Sequence, residues 1–185
     1  MAVGAYIQNV FDMMGEDKLG AALGELYQAV QVTAQKHYDE SEPSAEVSKR
    51  FLKESMVTIT TTWLGHIIVQ GMLIPVGFED GAEQYVPLEE VLYGILESAA
   101  TDKQLPVVWR NDALLLTGRD GYIHVSTGLV WGLVMAVVTD LSNKDEKLAD
   151  NCWINTVGFK YLVNDLWGKS DFTSRLARCV YEVTV

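Results

Sequence analysis

The sequence has little cysteine, and this scarcity excludes several classes of protein. Its 185 residues include only Cys152 and Cys179, so neither a disulfide scaffold nor a four-thiolate zinc site can form. The N-terminus has no basic segment, and Asp12 interrupts its apolar residues, which argues against a secretory signal. We therefore expect a cytoplasmic protein whose two thiols are reduced and buried.

Basic side chains are also scarce. Fourteen Lys and Arg face 25 Asp and Glu, which gives a formal net charge of −11. Such a chain is poorly suited to binding a nucleic-acid backbone, because phosphate contacts require cations. Hydrophobic residues make up 49% and charged residues 21%, a composition that excludes intrinsic disorder. The length and composition predict a single α-dominant domain over residues 1–185.

The acidic excess is regional. Residues 54–102 contain eight acids and no Lys or Arg, whereas residues 103–185 contain nine of each. Carboxylates without cationic neighbours in sequence belong either on a solvated face or opposite a basic protein, which they attract electrostatically. The candidate docking carboxylates are Glu79, Asp80, Glu83, Glu89 and Glu90. Their spacing matches no calcium loop, so we expect neither a metal nor a cofactor.

Two stretches contain no Asp, Glu, Lys or Arg: residues 55–78 and 121–139. Either is long enough to cross a bilayer, which requires about 20 apolar residues. The first is interrupted by threonines and Pro75, the second begins with polar residues, and no Lys/Arg cluster marks a cytoplasmic side. We expect both stretches to be buried among helices of a soluble protein, with a membrane-associated component as an alternative.

Apolar spacing of three and four residues predicts most of the helices. Helices are expected over 3–15, 17–38, 88–100 and 128–141, and a long one from Ala45, capped by Ser44, to about Met72. Residues 57–63 are β-branched and could instead form a strand. An acidic loop is predicted over 76–86. Further helices are expected after Asn143, carrying Trp153, Val157, Tyr161 and Trp167, and after Ser170.

The segment between residues 107 and 126 has a different pattern. Short β-branched runs alternate with turn residues, of which Gly118–Gly121 is the strongest signal. We interpret Val107–Arg110, Leu114–Thr117 and Tyr122–Ser126 as a small β-meander. The predicted fold is therefore mainly α, a helical bundle of six or seven helices with a β-meander at about 107–126.

Searches for phosphate-binding loops, nucleophile elbows and metalloprotease motifs find no match. The three histidines are far apart, and His37, at a helix end, is expected to interact with the helix dipole. Arg119 and His124 have the Arg-x4-His spacing that resembles the HEPN ribonuclease family. That resemblance implies an all-helical dimer with metal-independent RNA cleavage. Here, however, the spacing crosses a Gly-Arg-Asp-Gly turn, and the acidity disfavours RNA.

Trp109 and Arg110 have the composition of an interface hot spot, and Arg119 and Tyr122 are further candidate contacts. The other four tryptophans are predicted to pack in the core. The functional hypothesis is a non-enzymatic interaction module, such as a subunit, inhibitor or immunity-like protein, that binds a basic protein through its acidic region. Its apolar excess also suggests a homo-oligomer. The alternative is a small HEPN-like ribonuclease that uses Arg119 and His124.

Overall fold

The computed structural model describes residues 2–65, 71–77, 83–101, 107–109, 117–119, 122–156 and 158–176. These residues form a mainly α-helical protein with a small β part, as predicted, but the strands form three small sheets where one was expected. The helices are α1 (Val3–Gly15), α2 (Leu19–Tyr38), α3 (Ala45–Glu54), α4 (Met56–Leu64), α5 (Leu88–Thr101) and α6 (Gly128–Thr139). The strands are β1 (Leu73–Gly77), β2 (Glu83–Pro87), β3 (Val107–Trp109), β4 (Thr117–Arg119), β5 (Tyr122–Val125), β6 (Trp153–Thr156) and β7 (Phe159–Leu162). Short 3-10 helices at Leu141–Asn143 and Val163–Asp165 and a helical turn at 172–176 complete them.

Helix α2 is the centre of the core. It packs against α1, α3, α5 and α6, because its apolar residues recur on one side at helical spacing. Leu26, Ala29 and Val30 are buried in that contact. Full burial of one such leucine contributes about 1.5–3 kcal/mol to hydrophobic stabilisation.

The predicted helix from Ala45 to Met72 is wrong in its extent. Ser44 does cap its start, accepting a hydrogen bond from the Val47 amide at 3.2 Å. The helix then breaks at Ser55, and α4 ends at Leu64, where Gly65 takes a left-handed conformation with φ 64°. A glycine adopts this conformation without steric cost and so ends a helix. Residues 66–70 lie outside the described residues.

Helix α6 confirms the predicted burial of residues 129–138, since its apolar side chains are almost all inaccessible to solvent. It crosses α4 very closely at Gly132. A Cβ atom there would lie 2.4 Å from the carbonyl oxygen of Ile59. The missing side chain therefore permits the close contact between the two helices.

The helix predicted after Asn143 is wrong. Strands β6 and β7 form an antiparallel hairpin there, and Gly158, with φ 78°, lies between them. Asn143 is buried and donates hydrogen bonds to Thr33 Oγ1 and the Val137 carbonyl, both at 2.9 Å. Its side chain therefore forms hydrogen bonds within the core and does not cap a following helix. Trp153, predicted to be in the core, is largely exposed.

Strands are present between residues 107 and 126 as predicted, but β4 begins at Thr117, where the predicted strand Leu114–Thr117 ends, so Gly118 and Arg119 belong to a strand and not to the predicted turn. Residues 114–116 lie outside the described residues, and the strands do not form a meander. The strand order is β3-β5-β4: β3 runs parallel to β5, and β4 is antiparallel to it. A meander would have paired β3 with β4. The acidic loop predicted over 76–86 is wrong in its extent, because residues 76–77 and 83–86 belong to the antiparallel hairpin of β1 and β2, with Pro75 inside β1, while residues 78–82 lie outside the described residues. Strand β1 lies beside β4.

The first charge-free stretch is buried only in part. Helix α4 is largely buried, whereas Met72 and Leu73 are exposed. Among the described residues, none of the helices has the length and hydrophobicity needed to cross a membrane.

Candidate protein-interaction surface

The outward side of the β1–β2 hairpin exposes large apolar side chains. Leu73 is 52% exposed and Tyr85 is 62% exposed, while their neighbour Ile74 is 1% exposed. The alternation is what an antiparallel ribbon with one buried side produces. We call the exposed pair Leu73 and Tyr85 the hairpin face. The register places Leu73 and Tyr85 on one side of the hairpin and Ile74 on the other, where it is buried in the core.

Acidic residues surround the hairpin face in sequence. Glu83 is the first residue of β2, and Glu79 and Asp80 belong to the segment between the two strands, which lies outside the described residues. No Lys or Arg occurs between residues 54 and 102. The local chain therefore combines an exposed aromatic and aliphatic pair with charges of one sign.

Glu89 and Glu90 are different, because the structure supplies them with cations. Lys53 of α3 lies 3.6 Å from Glu89, and Lys49 lies 2.9 Å from Glu90. The hydrogen bond to Glu90 raises the pKa of the Lys49 ammonium. Both carboxylates begin α5, where they also face the positive end of its dipole. The expectation that they lack a cation was wrong, because it counted charge along the sequence and α3 packs against α5.

The second group of predicted contact residues lies on the three-stranded sheet. Trp109 ends β3 opposite Val125, and Arg119 ends β4 directly opposite Tyr122. Arg110 lies outside the described residues. The strands thus bring Arg119 beside Tyr122, and Trp109 belongs to the strand on the other side of β5.

The proposed ribonuclease pair is divided between two strands. Arg119 belongs to β4, and His124 belongs to β5, where it is opposite Thr117. In the HEPN pattern the two residues occur on one helix, so this part of the resemblance is not met. The turn residues 120 and 121 lie outside the described residues.

A cluster that sequence reasoning missed lies around His37, near the end of α2. Its Nδ1 is 2.7 Å from Asp140 Oδ2, and its Nε2 is 3.9 Å from Glu54 Oε2. Arg50 donates to the other Glu54 oxygen at 3.1 Å and stacks over the Tyr38 ring at 4.3 Å. These five residues, which we call the His37 cluster, join α2, α3 and the end of α6. A separation of 103 residues between His37 and Asp140 explains why no local pattern indicates them.

The electrostatics of the His37 cluster favour the charged form of Glu54. Burial opposes ionisation of Glu54, but hydrogen bonds from Tyr38 and Arg50 and the nearby positive charge lower its pKa. Burial, together with the Glu54 carboxylate, raises the pKa of Tyr38. An aspartate bonded to one imidazole nitrogen is also how general bases are oriented. Here the other nitrogen faces a second carboxylate, that of Glu54, so the imidazole lies between two carboxylates and connects three helices.

Cys152 is a free, half-buried thiol that accepts a hydrogen bond from Gln8 at 3.7 Å. Burial raises its pKa, which keeps the unreactive thiol form dominant. In the part of the chain that the structure describes, no group of three or more His, Cys, Asp or Glu is arranged to hold a metal ion.

Fold and surface together describe a mainly helical protein with exposed β-ribbons and a strongly acidic middle region. A protein-family model named Rv1289 matches residues 2–180, so the chain belongs to the Rv1289 family. No curated protein and no solved structure matches the chain.

Proposed function

We propose that this protein is a non-enzymatic interaction module that binds a basic protein through the hairpin face. The observation that carries this proposal is the exposure of Leu73 and Tyr85 within a region that has eight acids and no Lys or Arg. Exposed aromatic and aliphatic side chains supply the contact area that anchors an interface. The acidic residues near it in sequence favour a partner with positive charge.

The chemistry of the partner follows from electrostatics. With Glu89 and Glu90 paired to lysines, the carboxylates nearest the hairpin in sequence are Glu79, Asp80 and Glu83. A partner with Lys or Arg around an apolar centre would match this arrangement and would be attracted over long range. Because screening weakens such attraction, binding should fall with ionic strength.

Affinity capture with the full-length chain, followed by titration of each captured protein in purified form, tests the proposal. A double variant Leu73→Ser with Tyr85→Ser removes the hairpin face but should barely change folding, since both side chains are exposed. The matched control is Leu141→Ser, because Leu141 is 62% exposed on a different element. We expect a basic partner that binds the wild type and the control, binds the double variant at least about tenfold more weakly, and dissociates as salt rises.

Two results would contradict the proposal. The first is a partner that is not basic, or whose binding is unaffected by salt. The second is a partner that binds the double variant as tightly as the wild type. In either case the hairpin face would not be the docking surface.

A further inference from the structure

Strand β2 is at the edge of its sheet. Its register with β1 pairs Pro75 with Tyr85 and Val76 with Gln84, and in the described residues β2 hydrogen-bonds to no other strand. The opposite side of β1 is next to β4. An edge strand presents main-chain donors and acceptors that another strand can pair with.

The phase of the hydrogen bonds determines which residues of β2 face the open edge. The Leu88 amide donates to the Met72 carbonyl at 2.9 Å, so this pair is hydrogen-bonded. In an antiparallel ladder bonded and non-bonded pairs alternate, which makes Pro75 and Tyr85 a non-bonded pair. Pro75, which has no amide hydrogen, therefore costs the hairpin no bond. The N–H and C=O of Tyr85 point away from β1, toward the open edge.

We infer that β2 binds its partner by β-strand addition: an extended segment with Lys or Arg between apolar residues pairs with the main chain of Tyr85. The inference rests on the proposed function and adds the geometry by which the partner would bind. Strand addition uses main-chain bonds for affinity and alternate side chains for specificity. The exposed Tyr85 ring would cover one side chain of the added strand.

Charge decides between this occupant and a second copy of the chain. Antiparallel pairing of β2 with its own copy would bring together two strands that each begin at Glu83 and follow Glu79 and Asp80 in sequence, with no Lys or Arg between residues 54 and 102. Like charges at that distance disfavour association, whereas a basic strand is attracted.

Amide hydrogen exchange of the free full-length chain tests the geometry first. We expect the Tyr85 amide to exchange rapidly and the amides of Gln84 and Val86, which face β1, to be protected. If the Tyr85 amide is protected in the free monomer, the edge is already covered and the inference fails. If protection grows with protein concentration, a second copy occupies the edge, and the inference fails as well.

The second test uses a capped heptapeptide of alternating lysine and valine as the probe. We expect it to bind and to protect the Tyr85 amide. N-methylation of the valine amides, which alternate along the peptide, should lower the affinity at least about tenfold. A heptapeptide with glutamate in place of lysine should not bind. Tyr85→Pro, which removes the amide hydrogen as Pro75 does across the hairpin, should bind at least about threefold more weakly than Tyr85→Val.

The outcomes separate the inference from the proposed function. If the N-methylated peptide binds as well as the unmodified one, and Tyr85→Pro binds like Tyr85→Val, strand addition is wrong. The hairpin face could still dock a basic protein through side chains, which the loss of binding in the Leu73→Ser, Tyr85→Ser variant would reveal separately.

Discussion

The two charge-free stretches of this chain are similar in composition but differ in structure and burial. Residues 121–139 end in α6, whose apolar side chains are almost all buried. Residues 55–78 instead form α4, then Gly65 and Gly71 with positive φ, and then β1, which exposes Leu73. Absence of charge is common to both, so it does not by itself determine burial.

The difference in burial between the two stretches follows from the backbone conformation of each. From Gly128 to Thr139 no turn residue interrupts the helix, and Gly132 allows α6 to pack directly on the backbone of α4. In the other stretch, Gly65 ends α4, Gly71 precedes β1, and the period changes from helix to strand. A strand buries only alternate side chains when one side is covered, so Leu73 of β1 reaches the surface while Ile74 is buried. The stretch that forms α6 therefore belongs to the core, whereas the other stretch exposes Leu73, a residue of the proposed docking surface.

The largest expected effect contrasts the two stretches directly. Leu133→Ala in α6 should cost about 2–5 kcal/mol of unfolding free energy, because it leaves a cavity among fully buried side chains. Leu73→Ala should change stability by less than about 0.5 kcal/mol. Urea denaturation of both variants measures the difference. Equal losses would mean that Leu73 is as much a part of the core as Leu133.

The second contrast is between two helical glycines. Gly132→Ala should destabilise the protein by about 1–3 kcal/mol, because its Cβ would collide with the Ile59 carbonyl and force α4 and α6 apart. Gly20→Ala, where nothing lies within 4 Å, should stabilise it by about 0.5–1 kcal/mol. Thermal unfolding of both variants gives the sign. A stable Gly132→Ala protein would show that the two helices can separate without loss.

A smaller effect is expected at Glu146, which tests core stability away from both stretches. Its carboxylate accepts the Gly4 amide at 2.9 Å and binds Lys36 at 2.7 Å. Burial opposes ionisation, but these partners lower the pKa of Glu146 below its ordinary value of 4.5. Since the unfolded chain binds this proton more readily, the contribution is complete above pH 4.5 and is lost as the pH falls through the lower folded value.

Glu146→Gln should therefore cost about 1–2 kcal/mol at pH 7 and less below pH 4. Unfolding free energies measured at several pH values provide the test, with Glu42→Gln as an exposed control. Binding to the lysine–valine peptide should be unchanged. A cost that stays constant across the acidic range would show that ionisation of Glu146 is not responsible.

The parts of the fold that could be predicted are those where local chemistry and tertiary packing agree. Helices α1, α2, α5 and α6 have apolar stripes or runs with suitable ends, and Ser44 caps α3 as expected. The segment after Asn143 misleads, because Trp153, Val157 and Tyr161 recur every four residues as in a helix. In the structure Trp153 and Tyr161 belong to different strands of a hairpin. Spacing alone does not distinguish these two arrangements.

The candidate surface was predictable only in its charge. Counting acids located the region, but it included Glu89 and Glu90, whose cations come from α3 through packing. The exposure of Leu73 and Tyr85 depends on which side of a strand is covered, and this requires the register of the hairpin. The link between His37 and Asp140 depends on the end of α6 meeting the end of α2. Such contacts are set by the tertiary fold.

The smallest expected effect separates the acids of α5 from those of the hairpin. Lys49 lies between Glu90 at 2.9 Å and Glu46 at 3.3 Å and near the Tyr93 ring. Such partly exposed pairs contribute about 0.2–1 kcal/mol, so Glu90→Gln should lose no more than that, and the loss should shrink in high salt. A double-mutant cycle with Lys49→Met measures the coupling.

The affinity for the lysine–valine peptide should fall less in Glu90→Gln than in Glu83→Gln, because Lys49 already neutralises Glu90. If Glu90→Gln weakens peptide binding more than Glu83→Gln does, the docking surface extends onto α5 and its ion pairs open when the partner binds.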